Sequence, residues 1–214
     1  MGTTSLNKDD LNDVKERYQK RIQEHGVSFD SMRSGSEEKQ LVRHKVHAAS
    51  LLTSNPSVLD IGCGLGDFYR YLINNKISCT YCGYDIIEDY VESCKSTYAG
   101  CSFELRNVLA DDIDGMYDNI VLSQVLNNRY QKSDNMEVMQ QMISTCFEHA
   151  NVAVSIDMMS DHVDFKSDEL FYYSPEKIFS FAKSLTKRVI LRHDYRPFEF
   201  CVQLFKMDAP GFVL

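Results

Sequence analysis

Between residues 57 and 206, short apolar runs alternate with amphipathic ones, and this rhythm leaves few folds open to the chain. Runs rich in Val, Ile, Tyr and Phe predict strands at 57–61, 79–85, 101–106, 117–123, 152–157, 188–193 and 200–206. Helical periodicity predicts helices at 67–74, 87–98, 134–149 and 175–184. The alternation predicts an α/β chain built on a mostly parallel, seven-stranded sheet with helices on both faces. The last two strands are joined by too short a link for a crossover, so they pair antiparallel and one strand near the edge is reversed. Upstream, "KDDLNDVKERYQKRIQEH" predicts a helix over 8–25, stopped by Gly26, and a second helix runs from Ser36 to about Leu52. The expected organisation is a helical lid over 1–54, a core over 55–207 and a tail over 208–214.

The stretch "VLDIGCGLGDFYRYL", residues 58–72, carries the densest chemical information. An apolar strand ends at Asp60, and Gly62, Gly64 and Gly66 follow at alternate positions, separated by Cys63 and Leu65. Glycine allows positive φ and close approach of a ligand to bare backbone. A helix N-terminus follows with free N–H groups. In open α/β sheets the next contact is an acid at the end of the second strand, about 20 residues on. Asp85 stands there, and its carboxylate can accept from both hydroxyls of a ribose. A dinucleotide fingerprint needs a third glycine where this chain has Asp67. Asp60, just upstream of the loop, suits a ligand bearing an ammonium group better than a pyrophosphate. S-adenosylmethionine, with an α-ammonium, a sulfonium and no phosphate, meets these requirements.

On these residues the chain resembles the class I S-adenosylmethionine-dependent methyltransferases over roughly residues 57–206. The resemblance implies a Rossmann-like sheet with an antiparallel last strand and S-adenosylmethionine as cofactor. Residues 58–66 correspond to the family's glycine motif, and "YCGYDI" to the second-strand motif, in which Asp85 holds ribose and Ile86 packs on adenine. Asn107, followed by Val108, stands where relatives carry an acid that bonds the adenine amine. Ser123 and Gln124 match positions lining the methyl-transfer pocket. The segment "RSGSEEKQLVRHKV" more loosely resembles the lead-in helix of trans-aconitate methyltransferase-like relatives.

The acceptor side is expected around the carboxyl ends of strands four to six. Asn127 and Arg129 follow strand four, Tyr172 follows strand five, and Arg192, His193 and Arg196 lie at the end of strand six. Gln40 and Arg43 from the N-terminal lid are expected to join this acceptor pocket, and with Arg33 they lie near the cofactor's methionine end or the acceptor. Arginines there predict a small acceptor bearing a carboxylate or similar anion, the alternative being that they pair with Asp194, Glu199 or other acids of the chain. His193 is the candidate general base for a hydroxyl or amine acceptor. Methyl transfer to a protein, and a cofactor-binding module without catalysis, are the alternatives.

Other clusters read as structural. Cys79 and Cys82 lie three apart on a strand and face opposite sides. His44 and His47 are expected on a helix surface, and Asp111, Asp112 and Asp114 in a solvated turn, so no metal site is expected. The net charge of −8 over 214 residues argues against nucleic acid as partner. Apolar runs fall short of a membrane span. Seven cysteines and the lack of an N-terminal apolar segment predict a cytoplasmic protein. Oligomeric state is not legible.

Overall fold

The computed structural model describes residues 6–32 and 35–209. Seven strands form one sheet: β1 (Ser57–Ile61), β2 (Thr80–Asp85), β3 (Ser102–Leu105), β4 (Tyr117–Leu122), β5 (Ala150–Met159), β6 (Arg188–Arg196) and β7 (Glu199–Phe205). Their order is β3-β2-β1-β4-β5-β7-β6. Strands β1 to β5 pair in parallel, whereas β7 lies antiparallel between β5 and β6. The reversed strand is therefore next to the edge, as the short connection requires. Strand order turns back between β1 and β4, which opens a crevice beyond their carboxyl ends.

Alternation within the strands sorts the core to two sides. Leu59, Ile120 and Ile156 pack with Val138 and Met139 of α6 (Asn135–His149) and Ile178 of α7 (Pro175–Leu185). Val58 and Val121 pack with Phe68 and Leu72 of α3 (Asp67–Asn74) and Val91 of α4 (Glu88–Thr97). A short helix, α5 (Val108–Asp111), follows β3.

The N-terminal helices are α1 (Lys8–His25) and α2 (Glu37–Ala48). Asn7 and Ser36 cap them by accepting backbone N–H bonds from Asp9 and Lys39. A 3-10 turn over Phe29–Met32 follows α1. Strand β6 runs three residues beyond its expected end, because pairing with β7 resumes after a bulge at Arg196↔Glu199. Helix α2 stops at Ala48, four residues early. It packs on β5 and β6, so His44 and His47 are buried rather than on a helix surface, at 4% and 0% exposure.

Gly83 on β2 shows how tightly the glycine loop is seated. A Cβ there would lie 2.8 Å from both Cys63 Sγ and Phe103 Cδ1. Its backbone is ordinary, so the constraint is space alone. Gly83→Ala is expected to destabilise the fold by about 1–3 kcal/mol through overpacking. Urea unfolding measures this, and an unchanged midpoint would show that the loop yields freely.

Candidate active site

The crevice between β1 and β4 is the mouth of a cleft enclosing about 830 Å³ of empty space, part of it open to solvent. Its floor is the glycine loop. Gly62 N and Cys63 N both donate to Tyr84 O on β2, at 2.7 and 3.0 Å. Gly62, Gly64 and Gly66 have φ of 72°, 53° and 72°, which only glycine adopts without strain. Their missing Cβ atoms serve different neighbours. A Cβ at Gly62 would strike Val125, one at Gly66 would strike the Tyr98 ring, and one at Gly64 would strike the Met32 thioether. Met32 Sδ also lies 3.3 Å from Leu65 N, so a side chain of this protein rests on the loop.

Asp85 ties the loop to the second strand. It accepts from Gly64 N at 2.8 Å and Ile87 N at 2.9 Å. Burial raises its pKa, opposed by those backbone N–H groups. Asp60 accepts from Tyr81 Oη at 2.5 Å. Burial pushes its pKa up to about 7, against that hydrogen bond and the charge of His47. Asp67 lines the same cleft, where its carboxylate takes Gln40 Nε2 at 3.0 Å and pairs with Arg70. Three carboxylates thus face one cleft, and a cation is favoured there.

The roof comes from the N-terminal helices. Val14 and Tyr18 of α1, Met32, and Gln40, Arg43 and His44 of α2 all line the cleft. Asp10 fastens α1 by accepting the backbone N–H groups of Gln131, Lys132 and Ser133. Tyr90 Oη donates to Ser31 Oγ, and Arg21 donates to the carbonyls of Asp30 and Ser31, so the 3-10 turn is held down as well.

Among the cofactor residues expected from sequence, Asp60, Gly62, Cys63, Gly64, Asp85, Ile86, Ser123 and Gln124 line this cleft. Asn107 and Val108 line an adjoining chamber that shares Gly62, Asp85 and Ile86 with it. Asn107 also caps α5, accepting from Leu109 N. Gly66 lies outside both linings and packs against Tyr98.

The expected acceptor residues are less united. Gln40 and Arg43 line the cleft, but Arg43 is held by a two-pronged bond to Glu199 at 2.7 and 2.8 Å. Arg196 pairs with the same carboxylate at 3.0 Å, and Arg192 with Asp194 at 2.8 Å. Arg129 lies over the Phe171 ring and lines a groove beside α1. Asn127 is buried beneath the cleft, donating to Gln124 Oε1 and accepting from Met159 N. Tyr172 accepts from Ser167 N in its own loop. His193 lies on β6, with β5 and β7 between it and β4, and is absent from the cleft lining. Arg192 and Arg196 of β6 are thus each matched to an acid. Arg33 lies outside the described residues.

Sequence reasoning missed Met32, His44, Phe68, Tyr90 and Val125 in the lining. One signal in the sequence is the helical spacing of α1, which puts Val14 and Tyr18, four residues apart, on one face. His44 and His47 share one helix but differ sharply. Burial and the charges of His47 and Arg43 push the His44 imidazole down to about 3, and its Nδ1 is buried without a hydrogen-bond partner. Burial opposes protonation of His47 too, but its hydrogen bond to Asp157 raises it to about 10. Away from the cleft, exposed Asp161, His162 and Glu176 bring ligand-type atoms within 4.8 Å of one another. Glu176 there already accepts from His162 and Ser174.

With this geometry in view, the relatives can be set beside it. A family model described as "Methyltransferase domain" matches residues 52–179. The chain belongs to this methyltransferase family, and its fold is the Rossmann-like fold of class I methyltransferases. "Putative methyltransferase 235L" of Invertebrate iridescent virus 6 is 30% identical over 70 residues. That match covers 33% of this chain and 26% of the viral protein, so the chain spans about a quarter of its relative's length. Magnesium protoporphyrin IX methyltransferase from Synechocystis PCC 6803 with bound SAH has a TM-score of 0.65 at 15% identity, covering 92% of this chain and 100% of that one. The DhpI-SAH complex gives 0.67 at 12% identity, over 92% and 97% of the two chains. N-methyltransferase NodS from Bradyrhizobium japonicum WM9 with S-adenosyl-L-homocysteine gives 0.62 at 14%, over 90% and 99%.

Asp60 generates a pH signature. Its folded pKa lies above that of an unfolded aspartate, so the native state holds more protons than the unfolded state between about pH 4 and 7. Its contribution to stability is complete below that window and lost as pH rises through it. Asp60→Asn is expected to be more stable than the parent at pH 8, by about 4 kcal/mol, and similar to it at pH 4. Thermal melts across this range test it, and parallel pH curves for the two proteins would exclude Asp60 as the titrating group.

Proposed function

We propose that this protein transfers a methyl group from S-adenosylmethionine to a small-molecule acceptor. The observation that carries the reading is the cleft at the β1/β4 switch point, where Asp60, Asp67 and Asp85 surround a glycine loop of positive φ. A cationic ligand with a diol and no phosphate fits that donor and acceptor set. When bound, S-adenosylmethionine supplies a methyl group made electrophilic by its sulfonium centre.

The chain's own residues hold and orient. Asp60 and the loop backbone take the amino-acid end, Asp85 takes the ribose hydroxyls, and Ile86, Asn107 and Val108 enclose the adenine. Ser123 and Gln124 border the space where the acceptor meets the methyl group. The S–CH3 bond breaks as the acceptor–CH3 bond forms and the positive charge leaves sulfur, neutralised by an anionic acceptor or carried onto a neutral one, so alignment and exclusion of water are the main demands on the protein. The roof formed by Val14, Tyr18, Met32 and His44 meets the second demand, and it favours an acceptor small enough to enter beneath it. Solved proteins of this fold named as methyltransferases of magnesium protoporphyrin IX agree in kind. Among the described residues, Arg43, Arg192 and Arg196 are matched to carboxylates, so the reading extends to neutral as well as anionic acceptors.

Calorimetric titration with S-adenosylhomocysteine tests the reading. Binding is expected to tighten between pH 6 and 8 with release of a proton, because a ligand ammonium favours ionised Asp60. Asp85→Ala is expected to weaken binding by about 2–4 kcal/mol through loss of charge-assisted bonds. Absence of binding by the folded parent protein would refute the cofactor, and full affinity in Asp85→Ala would remove that residue from the site.

A further inference from the structure

Asp157 does not line the cleft, yet two of its lining residues depend on it. The carboxylate is 1% exposed at the middle of a set of donors. Oδ1 accepts from Gln124 N at 2.6 Å and from Gln124 Nε2 at 2.9 Å. Oδ2 accepts from Ser123 Oγ at 3.2 Å and lies 3.1 Å from His47 Nε2. The far nitrogen of His47 lies 2.8 Å from Ser155 Oγ. With His47 protonated, both ring nitrogens donate, and α2 is tied to β5 through a buried charge pair.

Gln124 explains why such a hub stands here. Its φ is 62°, in the left-handed region that non-glycine residues avoid. A residue is held there only where its surroundings over-determine it. Asp157 takes both the backbone N–H and the side-chain amide of Gln124, and the remaining Gln124 Oε1 accepts from Asn127 Nδ2. The turn sets Val125 against the glycine loop, where its methyl group fills the space beside Gly62. The width of the cleft between β1 and β4 thus depends on a carboxylate behind its wall.

We propose that Asp157, supported by His47, is a positioning residue for methyl transfer: it locks Gln124 in the left-handed conformation and so holds the Ser123–Val125 edge at the spacing that the cofactor requires. The proposal rests on reading the cleft as an S-adenosylmethionine site. A neutral amide at 157 would lose the charge-assisted bond to Gln124 N and the ion pair to His47. The turn would then relax, and ligand binding would have to re-form it. Glycine at 124 needs no such lock, because it adopts positive φ unaided.

This difference gives a test in which a merely structural role behaves otherwise. S-adenosylhomocysteine is titrated calorimetrically into the full-length parent, Asp157→Asn, Gln124→Gly and the double variant, with circular dichroism as the check on folding. Asp157→Asn is expected to weaken binding at least tenfold in the parent background. In the Gln124→Gly background the same change is expected to cost no more than about threefold, less than the tenfold that 1.4 kcal/mol represents. A double variant that folds and binds when Asp157→Asn alone does not fold supports the proposal equally. Parent-like affinity in Asp157→Asn, or the same loss in both backgrounds, overturns it. If both Asp157 variants fail to fold, the residue serves the fold and the positioning role is overturned. A folded parent that does not bind S-adenosylhomocysteine refutes the reading of the cleft itself, which separates the two failures.

Discussion

Two buried charge pairs fasten the N-terminal part of this protein to its sheet. Arg43 grips Glu199 at the start of β7, and His47 meets Asp157 on β5. Buried pairs of this kind add little net stability compared with apolar packing, but removing one partner strands a charge in a medium of low dielectric. What they supply is placement. Helix α2 is fixed in rotation and along its axis, and with it the line of side chains it presents to the cleft. His44, one turn before His47, is kept neutral by the same arrangement that keeps His47 charged. One helix thus offers the cleft a neutral imidazole while it anchors itself with a charged one.

The cleft shows a second division of labour. Glycines that look in sequence like a bare surface for a ligand are each occupied on one side by this protein: Val125 at Gly62, Met32 at Gly64 and Tyr98 at Gly66. Positive φ at all three still requires glycine, whatever fills the space. The loop is therefore shaped by its own packing, and the acids around it define the charge a ligand meets. Met32 lies on the loop itself, so a ligand that reaches the backbone at Gly64 has to share that surface with a thioether or move it.

Much of this was legible beforehand, for physical reasons that differ between elements. The seven strands show because a sheet covered on both faces demands unbroken apolar runs. The glycine loop shows because positive φ narrows residue choice at fixed spacing. Asp85 shows because it closes a strand at a set distance from the loop. The partners of charged residues do not show. Nothing local marks Arg43 as the mate of Glu199, 156 residues away, or Asp10 as the acceptor for the 131–133 backbone. Arg192 and Arg196 differ, because their acids, Asp194 and Glu199, stand close by in the chain and were open to view as partners. The burial of His44 and His47 was hidden for a related reason. A helix of mean polar character packs on a sheet through a few long-range pairings that its own periodicity does not reveal.

The position of β7 has a consequence for how the molecule comes into being. The seventh strand in chain order is inserted between two that precede it, and it pairs Cys201 with Asp157 at the centre of the hub. Until residue 205 has left the ribosome, β5 has an open edge and Arg43 has no Glu199 to meet. The crevice strands β1, β2 and β4 pair among themselves without it. A nascent chain can thus build the glycine loop and its neighbours early, while the Arg43 anchor of α2 awaits β7. The roof is in this way fully fastened only once β7 has paired, and a chain cut short before Glu199 keeps its cleft strands but loses one of the two anchors of α2.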